Sequence, residues 1–302
     1  MKKIGLVIAV VFALILAFAG CGGNDTQDTP ETSLSPKPSA TPKVEVAPED
    51  ADIVIEGSEP AIAVVNELAQ MYMAENAGVA ISVTQTNSNK SIATCAGGNA
   101  DIALSSRELK EAEIAIFPGL KAELLCTDGV VVIVADDSPI DNLTKEQVKG
   151  IFTGETTDWQ DVGGESGLIR VYPRNIASEV RKFFETYFLG KDEKGEQITT
   201  GSDLGTVLKS ADEMGAGVQS ETLRIGYTTL GTIDNYNIKP LSIDGTDPSA
   251  DTVASGEYPY VINLYLVTNG EVSDKAAAFI DYCKSDAAIS YMKQSGYVVP
   301  GA

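Results

Sequence analysis

The chain has 302 residues, with 22 Lys or Arg against 43 Asp or Glu, a net charge of −21, and no histidine. So acidic a chain repels nucleic-acid phosphates and anionic membrane surfaces, which argues against nucleic acid as a partner, and the missing histidine removes His general bases, His-containing triads and His metal ligands. At 43% hydrophobic residues the chain can bury a core of one or two domains.

Residues 1–20 read as an export signal: Lys2 and Lys3 precede an apolar run from Ile4 to Gly20 that ends in small residues. At 17 residues the run is at the lower limit for a membrane-spanning helix. In Leu16-Ala17-Phe18-Ala19-Gly20-Cys21, the small residues before the cysteine resemble the bacterial lipobox. That implies acylation of Cys21 and a body held outside the cytoplasm on the cell membrane; an uncleaved anchor helix with an incidental cysteine is the other reading. Residues 21–52 read as a disordered acidic tether rich in Pro, Ser and Thr, without aromatics or apolar periodicity. From Asn24 to Asp52 it holds seven acids and two lysines, so residues 53–302 still carry a net −18.

The body alternates strands and helices. Ile53–Ile55 predicts a strand ending at Gly57, and Ala61–Asn76 a helix with Ile62, Val65, Leu68, Ala69 and Tyr72 on one face. Ala80–Thr84 reads as a strand, Ser91–Ala96 as a short helix, Ala100–Leu104 as a strand and Val130–Ala135 as a buried strand. Thr144 opens a helix through a capping box with Gln147. A strand over Leu168–Tyr172 and a helix over Ser178–Leu189 follow. Strands at Leu223–Tyr227, Ile238–Ile243 and Val261–Val267 precede closing helices at Ala276–Lys284 and Ala287–Ser295. The alternation predicts an α/β fold with largely parallel sheets. Cys95, Cys126 and Cys283 lie in apolar segments and read as buried free thiols, with a Cys95–Cys126 disulfide as the alternative.

Three polar loops run into helices: Gly57-Ser58-Glu59-Pro60, Asn87-Ser88-Asn89-Lys90-Ser91 and Ala177-Ser178-Glu179-Val180. Ser and Asn there can simply cap the helix, or the free N–H groups can hold an anion. Arg107 and Arg174, beside strand ends, strengthen the anion reading. Asp136-Asp137 and Asp244-x-x-Asp247 are too sparse for a calcium loop, so no metal site is expected. Trp159 reads as packing, and Tyr172, Tyr227 and Tyr236 as core or cleft wall.

Longer motifs carry a resemblance. Ala100-Asp101-Ile102-Ala103-Leu104-Ser105-Ser106-Arg107-Glu108-Leu109, Asp128-Gly129-Val130-Val131-Val132-Ile133-Val134, and Asn142-Leu143-Thr144 through Ile151-Phe152-Thr153-Gly154 occur in order. Trp159, Val162-Gly163-Gly164, Ile225-Gly226-Tyr227 and Leu264-Tyr265-Leu266-Val267-Thr268 follow. Over nearly all of residues 53–300 the chain resembles the phosphate-binding lipoproteins of bacterial ABC importers. The resemblance implies a two-lobed, flytrap-like (type II) periplasmic-binding-protein fold, with residues 53–135 and 264–302 in lobe 1 and residues 136–263 in lobe 2. It implies a small anion, phosphate being the candidate, held in the cleft by Ser58, Ser88, Ser106, Arg107, Arg174 and Ser178. An ABC permease would be the membrane partner, and no cofactor is implied.

The chain departs from that family in its ligand loops. Gly-Ser-Thr-Thr becomes Gly57-Ser58-Glu59-Pro60; Gly-Ser-Gly-Thr-Gly becomes Asn87-Ser88-Asn89-Lys90-Ser91; and Arg174 and Ser178 survive while the following Gly-Thr becomes Glu179-Val180. Glu59, Lys90 and Glu179 are therefore candidates for altered specificity. Three arrangements are open. The two acids point to solvent as first-turn helix residues; or they bind a cationic or zwitterionic ligand whose acid group Arg174 holds; or one accepts the proton of a protonated phosphate. Two carboxylates facing an anion in a dry cleft repel it, at roughly 3 kcal/mol per unit-charge pair at about 5 Å and an effective dielectric near 20. Beside a phosphate-type binding protein stand a diverged binder of an organic solute and a surface lipoprotein whose decayed cleft makes protein contacts or relays a signal. With no histidine, nucleophile elbow or Walker loop, an enzyme is not expected.

Overall fold

In the computed structural model, residues 46–201 and 203–301 are described. The signal, Cys21 and the tether up to residue 45 lie outside them. The last tether residues do not hang free: Pro48–Asp50 form a 3₁₀ turn, and Asp52 pairs with Lys275 and accepts from the Ala80 N–H.

In chain order the elements are β1 (Ile53–Gly57), α1 (Glu59–Glu75), β2 (Ile81–Gln85), α2 (Ser88–Ala96), β3 (Ile102–Ser105), α3 (Glu111–Ile116), β4 (Leu120–Ala135), β5 (Asn142–Leu143), α4 (Lys145–Thr153), β6 (Arg170–Val171), α5 (Glu179–Phe184), α6 (Ala211–Val218), β7 (Arg224–Thr229), β8 (Ile238–Pro240), β9 (Ser242–Ile243), α7 (Ala250–Ser255), β10 (Val261–Asn269), α8 (Asp274–Tyr282) and α9 (Asp286–Gln294). Helix starts follow the capping logic of the sequence. Thr144 and Gln147 close a capping box on α4, and Asn87, Ser178, Ser210, Ser273 and Ser285 accept from backbone N–H groups of the helices they open. The expected helix over Ser178–Leu189 is α5 followed by a π turn, Glu185–Leu189, and the expected strand over Ile238–Ile243 breaks at Leu241 into β8 and β9.

The main sheet runs β2-β1-β3-β10-β4-β7-β6, with β8 also on β4. It is mixed, not largely parallel. β1 lies parallel to β2 and β3, and β6 to β7, but β10 is antiparallel to β3 and β4, and β4 to β7 and β8. The reason is connectivity: β4 and β10 pass in opposite directions between the two halves of the sheet. β4 is the longer, and its partner changes along its length. Leu120–Gly129 pairs with β10, whereas Val130–Ala135 pairs with β7 and β8. The partner thus switches at Gly129–Val130, six residues before the expected boundary after Ala135.

The core follows the sheet. Val130 to Val134 are fully buried, and α1 contributes Val64, Val65 and Leu68 to the same core, packing on β2, β3 and β10. In the second half Phe184 stacks on Tyr227 with ring centroids 3.9 Å apart, and Phe152 meets both edge-on. Trp159 is core packing, as expected, its indole N–H donating to the Leu223 carbonyl. The three cysteines of the body are free and buried, so no Cys95–Cys126 bridge forms. Among the described residues no helix is long and apolar enough to cross a membrane.

Candidate functional site

The predicted loops gather at one edge of the sheet. β1, β2 and β3 are parallel, and their C-terminal ends lead into Ser58, Ser88 and Ser106; β6 leads through Arg174 into Ser178. Crevices outside the carboxyl ends of parallel strands are where open α/β sheets bind ligands. Gly57 permits the close approach there: a Cβ on it would lie 2.1 Å from the Leu104 Cβ, while the Ser58 N–H donates to the Leu104 carbonyl.

Two carboxylates cross the gap between the sheet halves in opposite senses. Glu179, first residue of α5, reaches the first half. Its Oε1 accepts from the Ser88 N–H at 3.3 Å, the Ser88 hydroxyl at 3.0 Å and the Ser106 hydroxyl at 3.4 Å. Ser88 Oγ in turn accepts from the Ser106 N–H at 3.0 Å, which locks the two serines together. Glu59, first residue of α1, reaches the second half, where its Oε1 pairs with Arg174 Nη2 and its Oε2 accepts from the Ser178 hydroxyl at 2.7 Å. Each carboxylate thus takes donors that a free oxyanion would want, in the half of the molecule opposite to its own. Neither acid points to solvent, contrary to the first of the three expected arrangements; the side chain of Glu59 is 11% exposed and that of Arg174 0%.

Several polar atoms here have no protein partner although buried: Ser58 Oγ, Thr86 Oγ1, Arg174 Nε and Nη1, and Glu179 Oε2. Buried groups of this kind are ordinarily satisfied, so these are spare donors and acceptors beside the two ion sites. A cavity of about 220 Å³ opens next to them, lined from one side by Glu59, Gln85 and Thr86 and from the other by Ser178, Glu179 and Lys209. A second, of about 240 Å³, carries the acids Glu59, Glu67 and Asp212 on its wall.

The structure thus brings together Ser58, Ser88, Ser106, Arg174 and Ser178 with Glu59 and Glu179, but not Arg107 or Lys90. Arg107 is spent locally. Its guanidinium forms a fork with Glu113 at 2.6 and 3.0 Å and donates to Asn89, holding the Glu113 carboxyl below its ordinary value. Glu113 lies on α3, a helix that the sequence did not predict, so the competitor for Arg107 was not visible there. Lys90 is exposed at the start of α2.

Residues outside the predicted site set hold the Arg174 loop. Arg181, itself buried, donates to the Arg174 carbonyl at 2.7 Å and to that of Thr200, and pairs with Glu185 at 2.7 Å. Tyr227 Oη accepts from the Arg174 N–H, and burial pushes its phenol up to about 12. The Arg181–Glu185 pair has i,i+4 helical spacing, which could have flagged it; nothing local pointed to Thr86 or Lys209. Among the described residues no cluster of Cys, Asp and Glu is placed to hold a metal ion.

The profile of the PBP superfamily domain matches residues 42–287. The phosphate-binding protein PstS of Bacillus subtilis is 30% identical over 299 residues, which span 99% of this chain and 95% of that protein. PstS of Borreliella burgdorferi is 29% identical over 201 residues, 65% of this chain and 71% of that protein. Among solved structures, an ABC-type phosphate transport receptor from Vibrio cholerae matches with a TM-score of 0.64 and 28% identity, over 82% of this chain and all of that one. A substrate-binding protein from Clostridium perfringens with bound phosphate matches with a TM-score of 0.69 over 82% of this chain and 98% of that one; at 23% identity it speaks for the fold alone.

Proposed function

The chain belongs to the PBP superfamily and, within it, to the family of the PstS phosphate-binding proteins, and we propose that it binds phosphate or a related small anion as the extracytoplasmic solute receptor of an ABC importer. The observation that carries this reading is chemical. Hydroxyls, a main-chain N–H and a guanidinium already hold oxyanions here, in the form of the Glu59 and Glu179 carboxylates. Charge-assisted bonds of this kind are the strong ones, and spare donors remain on Ser58 and Arg174. The body's net charge of −18 offers no long-range attraction for an anion, so selection rests on these local groups.

In this reading, residues 53–129 with 261–302 and residues 130–260 form the two lobes, the expected bounds at 135 and 264 moving to where the strand partners change, with β4 and β10 as the hinge strands. A solute touching Ser88 and Ser106 on one side and Arg174 and Ser178 on the other favours the closed form, because only contacts made in that form shift the population. Cys21 carries the lipid that keeps the receptor near its permease.

Calorimetry with phosphate, sulfate, amino acids and small organic cations tests the assignment. Phosphate at about a hundredfold excess over Kd raises stability by about 2.7 kcal/mol. No phosphate response at millimolar concentration overturns it. A response to a zwitterion instead transfers the site to an organic solute, which the acidic wall of the second cavity favours.

A further inference from the structure

Resting on that reading, we propose that Glu59 and Glu179 are built-in competitors of the solute: tethered carboxylates that occupy its oxyanion positions, latch the cleft shut without it, and must be displaced for it to bind. The exchange is reciprocal. Glu179 stands on the second sheet half and takes the Ser88 and Ser106 donors of the first; Glu59 stands on the first and takes Arg174 and Ser178 of the second. Both bonds cross the gap, so both exist only while it is closed. A group tethered within reach acts at an effective concentration of the order of millimolar or more, which a free anion has to exceed. The apparent Kd is the intrinsic one divided by the fraction of protein in which the donors are free.

The latch leaves a way in. A carboxylate offers two oxygens, and the pair in place leaves Ser58 Oγ and Arg174 Nε and Nη1 without partners. A tetrahedral anion offers four oxygens and can satisfy donors that neither carboxylate reaches. Displaced, Glu59 and Glu179 border the 220 Å³ cavity, whose wall includes Lys209. The two acids thereby set specificity, raising the threshold for any small anion and favouring one with enough oxygens to replace both.

The full chain and its Glu59→Gln/Glu179→Gln variant test this through solution scattering and calorimetry with inorganic phosphate. Without added anion the wild type is expected to have the smaller radius of gyration; phosphate contracts the variant and leaves the wild type unchanged. The variant is expected to bind phosphate at least tenfold more tightly. Equal radii without anion overturn the latch, as does a variant that binds phosphate no more tightly than a phosphate-binding wild type. If neither protein binds phosphate, the radii decide alone: a larger variant upholds the latch while the phosphate reading falls. Should the double variant fail to fold, Glu59→Gln and Glu179→Gln are taken singly. Tighter phosphate binding by either upholds the latch, and unchanged or weaker binding by both overturns it.

Discussion

Replacing Arg174 by Met removes the guanidinium that faces Glu59 and leaves that carboxylate, 11% exposed, with only the Ser178 hydroxyl. At roughly 3 Å and an effective dielectric of about 20 the gross attraction is about 5 kcal/mol, and stripping one partner from a buried pair costs about 3–5 kcal/mol. On the proposed two-lobed reading the halves can part and let water reach Glu59, so the loss cannot exceed the cost of opening. We therefore expect Arg174→Met to lower stability by about 3 kcal/mol, at the bottom of that range. Glu59→Gln/Arg174→Met leaves no uncompensated charge and should lose about 1–2 kcal/mol less than the sum of the single variants, a coupling typical of residues in direct contact. Urea unfolding followed by far-ultraviolet dichroism and by fluorescence of the single tryptophan, Trp159, in the core of the second sheet half, measures both. At a slope of about 3 kcal/mol per molar the midpoint falls by about 1 M, and coincidence of the two signals checks that one transition is being read. A coupling below about 0.5 kcal/mol refutes the argument, because Glu59 and Arg174 would then be energetically independent.

Other expectations follow from the same geometry. Arg107→Ala should leave phosphate affinity within about twofold and cost about 0.5–1 kcal/mol, since its partner is Glu113 at a partly exposed site; a tenfold affinity loss measured by calorimetry returns Arg107 to the ligand site. Asp128 is fully buried in β4, and desolvation raises its carboxyl from 3.8 to about 6 against the pull of the Gly231 N–H. The folded form therefore binds the proton more tightly than the unfolded one. This contribution is fully present below about pH 4 and is lost as pH rises through about 6, a swing of about 3 kcal/mol. Comparing wild type with Asp128→Asn between pH 4 and pH 7 should show the wild type gaining relative to the variant as pH falls, and a flat difference rejects it. Burial raises the thiols of Cys95 to about 11 and of Cys283 to about 12, and that of Cys126 well above its usual value. None of the three should react with a thiol reagent at pH 8 until the chain is unfolded, and labelling of any of them in the native protein, located by peptide mapping, contradicts the burial.

The expectations that held rest on short-range rules. The Thr144–Gln147 capping box and the helix that follows Ser178 are bonds between residues three or four apart. What failed depended on neighbours distant in the chain. Leu120–Gly129 was not predicted as strand because its early stretch, Lys121, Ala122 and Glu123, lacks an apolar pattern and is exposed; it is strand because β10 pairs along it. Arg107 was expected at the ligand because its strand end is there, but Glu113, on an unpredicted helix, claimed it.

The sequence by itself determined the α/β class, the framework motifs, the loops that open onto the sheet edge and the candidate donors Ser88, Ser106, Arg174 and Ser178. Periodicity, capping and motif order are local, and local order survives in one dimension. Only the tertiary structure decided what the two anomalous acids do. Glu59 lies 115 residues from Arg174 and Glu179 lies 91 from Ser88, and each pair meets only because β4 and β10 bring two separately built halves face to face. An ion pair across such a gap depends on the relative placement of the halves, which no spacing along the chain encodes.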